Sequence, residues 1–222
     1  MMAVTYPNES SSYREARNAL LEAEINLRNQ IEEVAAMRRS LPEGGLIKED
    51  YLFTALDGRQ HPISSLFAEG QDTLMIYSFM YGETAQAPCP MCVSLIDGVN
   101  GEMQHIRQHV GFIAVAAAAP ETLTALTADR GWDQVPFYTT QGTSYQQDYH
   151  GVFDLESNAP APMMNVFKRD ADGIRHFWGT ESLFADVGGQ ARHMDLMWPL
   201  WAALDMTPAG RGEDWYPALN YQ

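Results

Sequence analysis

Residues 78–93 read Ser78-Phe79-Met80-Tyr81-Gly82-Glu83-Thr84-Ala85-Gln86-Ala87-Pro88-Cys89-Pro90-Met91-Cys92-Val93 and hold the only two cysteines of the chain. The lead-in, residues 73–80, is a continuous apolar run, as expected of a strand buried on both faces of a sheet. A Cys-x-x-Cys between such a strand and the start of a helix reads as a redox-active dithiol. Cys89 then lies at a helix N-terminus, where unpaired N–H groups and the helix dipole favour thiolate over thiol. Pro90 falls near the first helical turn, where its missing N–H costs nothing. Cys92 is within reach to close a short disulfide on Cys89.

The flanking sequence predicts the frame for this motif. Residues 92–109 read as a helix that Asp97-Gly98-Val99-Asn100-Gly101 interrupts or kinks. Residues 112–117 form a second buried strand, and Pro120 opens a helix to about Arg130 that Gly131 closes. This alternation predicts an α/β sheet with right-handed crossovers. Residues 51–56 before Asp57-Gly58, residues 61–67 and residues 136–140 are short strand candidates. The stretch 141–151 is polar. Residues 163–169, the turn Asp170-Ala171-Asp172-Gly173 and residues 174–178 predict an antiparallel hairpin. Residues 190–204, with Trp198, Leu200 and Trp201, predict a closing helix bent at Pro199.

Ahead of all this, Ser12-Tyr13-Arg14-Glu15 has capping-box spacing and opens a helix to about Arg39. Tyr13, Ala16, Leu20, Ala23, Leu27, Val34 and Met37 make its apolar stripe, which Gln30 interrupts. Such a stripe lies on the domain as a brace, or on a second copy as the arm of a homodimer. The expected division is a helical extension over 1–44 and a main domain over 45–222.

The 222 residues are 45% apolar, enough for a real core, and carry a net charge of −15. That balance repels phosphate backbones and argues against nucleic acid as a partner. No run of about 18 apolar residues predicts a membrane span. The opening nine residues lack the basic and apolar regions of a signal peptide, and no further cysteine staples the fold. The expectation is a reducing cytoplasm.

Two stretches together resemble the thioredoxin superfamily: the strand followed by Cys89-Pro90-Met91-Cys92 on a helix, and Pro162-Met163-Met164-Asn165-Val166-Phe167-Lys168 with its returning strand. Further stretches are similar to a family of bacterial thioredoxin-like proteins catalogued as a domain of unknown function. They are Met37-Arg38-Arg39-Ser40-Leu41-Pro42, Tyr77-Ser78-Phe79-Met80-Tyr81-Gly82, Arg130-Gly131-Trp132 and Leu204-Asp205-Met206-Thr207-Pro208-Ala209-Gly210-Arg211. The resemblance implies a thioredoxin-like sheet with flanking helices and a dithiol–disulfide oxidoreductase. It implies Cys89 as nucleophile, Cys92 as resolving thiol, Pro162 as a cis-proline in the substrate groove and Ala161 as a source of backbone groups for an extended substrate. Tyr81, Pro88 and an exposed Met91 would shape the rim. The partner would be a protein or small-molecule thiol or disulfide, and no organic cofactor or metal is needed. Thioredoxin's buried carboxylate has no counterpart in the strand; Glu83 is the nearest acid in sequence.

Other readings compete with the dithiol. Both cysteines could be buried and inert. Cys89, Cys92, His105 and His109 have the spacing of a two-cysteine, two-histidine zinc site, although one helix would separate His105 from Cys92 by roughly 20 Å. A thiol peroxidase on the same fold is a third reading, but Gln86 stands where peroxiredoxins place threonine. A non-enzymatic assembly module using the N-terminal helix is a fourth. His150, His176 and His193 are scattered singly and read as ordinary polar or core histidines.

Overall fold

The computed structural model describes residues 4–186, 194–212 and 215–221. The chain divides into two compact units, Met1–Glu43 and Gly44–Gln222. The first is built on one helix, α1 (Ser11–Arg39). Its N-cap is Ser10, not Ser12: the Ser10 side chain accepts from the Tyr13 N–H. Ser10 is itself in extended backbone while Ser12 is already helical, and a cap needs non-helical backbone. No residue of α1 is buried, and Tyr13, Leu20, Leu27 and Met37 of the apolar stripe are exposed.

The second unit is an α/β fold on a seven-stranded sheet. Its strands are β1 (Leu52–Ala55), β2 (Gln60–Pro62), β3 (Thr73–Ser78), β4 (Gly111–Ala116), β5 (Phe137–Thr139), β8 (Met163–Asp170) and β9 (Gly173–Gly179). Between β5 and β8 the chain forms a small ribbon of β6 (Val152–Asp154) and β7 (Ala159–Pro160). The order across the sheet is β2-β1-β5-β4-β3-β8-β9. Strands β3, β4 and β5 are parallel, joined through α2 (Pro90–Ile106) and α3 (Pro120–Arg130); β8 returns antiparallel to β3. Parallel strands with helical crossovers beside an antiparallel hairpin make this sheet thioredoxin-like.

Period-two alternation sends successive side chains to opposite faces. Tyr77, Ala114, Ala116 and Met164 face one core with Cys92, Val93, Ile96 and Met103 of α2. Leu74, Ile76, Ile113, Val115 and Phe167 face a second core with Tyr51, Phe53, Ile63 and Tyr145. Burial on both sides explains why β3 and β4 read as continuous apolar runs.

Two expectations need correction here. Helix α2 is continuous through residues 97–101. Asp97 accepts from Trp132 Nε1 at 2.9 Å and pairs with Arg130, while Asn100 Oδ1 accepts the Gln134 and Val135 N–H groups. Gly98 lets Pro199 pack close, since a Cβ there would meet Pro199 Cγ at 3.3 Å. These residues look like helix breakers in sequence but serve as tertiary contacts. Pro199 does not bend a helix; it is the first residue of α5 (Pro199–Asp205), after a short 3₁₀ turn over Asp195–Met197. Residues 190–193 of the expected helix, including His193, lie outside the described residues. The polar stretch 141–151 also contains one short helical turn, α4 (Tyr145–Asp148).

Candidate active site

The dithiol is positioned by the end of β3 and the start of α2. Phe79 N–H extends the sheet to Val115 O at 2.8 Å, and an exposed loop over residues 83–87 then leaves the sheet. The loop is tied back at its far end by Cys89 N–H donating to Met80 O at 3.0 Å. Cys89 is the N-cap of α2, in extended backbone, and Pro90 follows in the first helical position. Cys89 therefore stands at the helix N-terminus as its sequence position implies, while the helix itself spans Pro90–Ile106 rather than 92–109.

The two sulfurs have opposite environments. Cys89 is half-buried; Cys92 is 1% exposed. The Cys89 thiol is lowered to about 6 from an ordinary 9.0, first by its hydrogen bond with the Cys92 thiol and then by the backbone N–H groups of Cys92 and Met91, against an opposing effect of burial. Cys92 is pushed well above the ordinary thiol value, first by burial and then by the neighbouring Cys89 sulfur. The two shifts run in opposite directions, so Cys89 is the sulfur that ionises first and Cys92 the one that holds its proton longer.

A third residue joins them. Tyr77, on the β3 face that packs on α2, donates its hydroxyl to Cys92 Sγ at 3.2 Å and is itself buried. Sequence reasoning treated Tyr77 as part of an apolar run. The available signal was the phenol itself, since a buried tyrosine hydroxyl usually finds a partner. Glu83 is exposed on the loop and is not among the groups that perturb either thiol.

The rim differs from expectation. Tyr81 and Pro88 are buried, with Tyr81 held by its backbone: its N–H donates to Phe79 O and its carbonyl accepts from Ala118. Met91 is half-buried and packs on the first core rather than standing out as an exposed contact. Pro162 is buried one residue beyond the Ser78–Met163 pair, beside the end of β3 from which the dithiol loop departs. No cis peptide bond occurs among the described residues, so the bond before Pro162 is trans. The trans isomer is intrinsically preferred by about 0.5–1 kcal/mol. Ala161 is buried and its N–H already donates to Gly151 O at 2.8 Å, so that donor is not open to an extended substrate.

Cavities open among the described residues. One, about 560 Å³, is walled on one side by Gly82, Glu83 and Thr84 of the dithiol loop and on the other by Gln146, Asn158 and Pro160. A larger one, about 850 Å³, lies around Asn165 and His176; neither cysteine lines either cavity. The smaller is the one joined to the redox loop. The zinc spacing is not realised: His105 sits at the opposite end of α2 from Cys92, roughly 20 Å away at 1.5 Å per residue. Among the described residues no three His, Cys, Asp or Glu side chains gather to hold a metal ion. No described helix is long and apolar enough to cross a membrane.

None of the curated proteins matches the chain. Among solved structures it is similar to peroxidoxin BcpB from Mycobacterium tuberculosis, with 13% identity and a TM-score of 0.48 over 74% of this chain and 98% of that one. A secreted Mycobacterium tuberculosis disulfide oxidoreductase homologous to E. coli DsbE matches with 15% identity and a TM-score of 0.42, over 70% of this chain and 96% of that one. A peroxiredoxin-like protein from Aquifex aeolicus matches with 10% identity and a TM-score of 0.45, over 63% of this chain and 75% of that one. One family model covers residues 3–221, nearly the whole chain, and the protein belongs to that family, described as "Bacterial protein of unknown function (DUF899)".

Proposed function

We propose that this protein is a thiol–disulfide oxidoreductase whose working group is the Cys89/Cys92 dithiol. The observation that carries the reading is the asymmetry of the pair: a half-buried sulfur at a helix N-cap, lowered to about 6, beside a sealed thiol that retains its proton. Inert structural cysteines in apolar surroundings are pushed upward instead.

The reaction follows from that asymmetry. Cys89 thiolate attacks one sulfur of a substrate disulfide, the S–S bond breaks, and the first substrate thiolate departs. Cys92 then attacks Cys89 Sγ, releasing the second substrate thiolate and leaving a Cys89–Cys92 disulfide. Two electrons pass from the protein to the substrate, and an external dithiol restores the pair. The cysteines carry the electrons themselves, which suits a reducing cytoplasm. The substrate is a protein or small-molecule disulfide that approaches Cys89 from the exposed loop over residues 83–87.

Steady-state turnover tests this. Reduction of bis(2-hydroxyethyl) disulfide at the expense of dithiothreitol is expected from the wild type and lost in Cys89→Ser. Consumption of hydrogen peroxide at a higher kcat/KM than the disulfide would instead make the protein a thiol peroxidase. Equal background rates in wild type and Cys89→Ser would leave a binding role only.

A further inference from the structure

The resolving sulfur has a partner that a dithiol cycle does not by itself demand. Apart from Cys89, the groups acting on Cys92 are the Tyr77 hydroxyl and the Met80 backbone, with no carboxylate among them. Cys92 is sealed in the first core, and a thiol there loses its proton only against the cost of desolvating the anion. Yet the second step of the proposed cycle needs that anion, in that place, once Cys89 has been captured and no longer offers a charge to bond with.

We propose that Tyr77 is a catalytic hydrogen-bond donor for resolution: its hydroxyl, 3.2 Å from Cys92 Sγ, holds that sulfur as thiolate while it attacks the mixed disulfide. This rests on the oxidoreductase reading above and assigns the residue that makes its second half feasible. In the first step Cys89 thiolate and the disulfide give the Cys89 mixed disulfide and one free thiolate. The Cys92 proton passes to that departing thiolate, or to solvent when the leaving group is too weak a base. Cys92 Sγ, now anionic, forms its bond to Cys89 Sγ as the mixed disulfide breaks, and the charge leaves on the second substrate thiolate. Charge and electrons balance throughout, and the phenol neither gains nor loses its proton.

Two features suit a phenol to this task. Burial pushes the Tyr77 hydroxyl far above its ordinary value, so it stays a donor at any working pH. A hydrogen bond to an anion is roughly twice as strong as one to a neutral acceptor, so the bond tightens as the thiolate forms. The help is therefore concentrated where Cys92 is charged, which is what accelerates a step rather than merely stabilising the resting protein. The site is also preorganised: Tyr77 is fixed by its place in β3, paired with Ala114 on one side and Met164 on the other.

The test is Tyr77→Phe, which keeps the ring and removes the donor, reacted with 5,5′-dithiobis(2-nitrobenzoate) in stopped flow. The first nitrothiobenzoate released reports attack by Cys89; the second reports resolution by Cys92. The expected result is a first phase within about twofold of wild type and a second phase at least about tenfold slower, as for loss of one hydrogen bond to a charged group. The pH midpoint of the second phase should also move upward. A second phase at the wild-type rate with an unmoved midpoint overturns the assignment. So does equal slowing of both phases with a lowered Tm, which marks a packing residue. If the wild type itself releases one equivalent and forms no internal disulfide, the oxidoreductase reading fails as well, so the two failures are distinguishable. Should Tyr77→Phe fail to fold, wild-type protein with Cys89 capped by iodoacetamide, a thioether that Cys92 cannot displace, reads the same bond by infrared difference spectroscopy as Cys92 is titrated: a tyrosine C–O stretch that shifts with Cys92 ionisation supports the role, and an unshifted one overturns it.

Discussion

Deleting the Cys92 thiol should raise the Cys89 pKa, because the hydrogen bond between the two is the largest influence holding Cys89 at about 6 against an ordinary 9.0. At pH 7 a thiol titrating at about 6 is about 90% thiolate, whereas one at about 9 is about 1%, a gain of roughly ninetyfold in reactive species. Intrinsic nucleophilicity moves the other way: with a Brønsted coefficient of about 0.4–0.5, the more acidic sulfur is about fifteen to thirty times less reactive per anion. The net advantage at pH 7 is therefore only about threefold to sixfold, and at pH 6 about twentyfold. Absolute rate is thus a weak readout, and the shape of the pH profile is the strong one. Alkylation of Cys89 by iodoacetamide, followed by mass spectrometry from pH 4 to 10, should give a wild-type midpoint near about 6. In Cys92→Ala the midpoint should rise toward the free-thiol value of about 8.5, with a faster plateau at high pH. A wild-type midpoint at or above the free-thiol value would refute the reasoning. An acidic midpoint unchanged by Cys92→Ala would assign the effect to the helix N-terminus alone.

Other expectations concern the frame around the dithiol. Asn100→Ala removes the acceptor for the Gln134 and Val135 N–H groups and should cost about 2 kcal/mol in urea unfolding; an unchanged midpoint would mean that water replaces the side chain freely. Gly179→Ala would set a Cβ 2.8 Å from Met163 Cε and 2.9 Å from Asn165 Oδ1, so about 1–3 kcal/mol of stability should be lost, with a wild-type Tm counting against the packing described. His176, whose Nε2 bonds Asn165 Oδ1 at 2.8 Å, is held below its ordinary 6.5 by burial. The unfolded chain therefore takes up this proton first, so the stability contribution is complete above pH 6.5 and is lost as pH falls toward the folded value. His176→Phe should flatten the urea midpoint over that window, and an undiminished slope would place the titration elsewhere.

How far the sequence reads as structure depends on how local each determinant is. The strand, the Cys-x-x-Cys and the helix after it were legible because apolar runs, Pro90 and the cysteine spacing act over a few residues. The β8–β9 hairpin was legible for the same reason, with Asp170 Oδ1 accepting the Asp172 and Gly173 N–H groups at its turn. The interruption expected in α2 did not materialise because Asp97 and Asn100 have distant partners that local propensity does not see. Tyr77 was missed for a related reason: its hydroxyl meets Cys92 across the sheet–helix interface, fifteen residues along the chain. The closed Ala161 donor follows from the β6–β7 ribbon, which the Ala161 N–H extends to Gly151 O, a pairing no short motif announces.

The central claim is that the two sulfurs interconvert between dithiol and disulfide. Equilibration with graded ratios of reduced and oxidised glutathione, quenching in acid, and counting of free thiols by mass tests it most directly. The account predicts a single transition with the two-electron slope of about 30 mV per tenfold change, forming an internal Cys89–Cys92 bond and abolished in either Cys→Ser variant. Two thiols persisting unchanged across every ratio, or glutathione trapped on Cys89 and never released by Cys92, would contradict it.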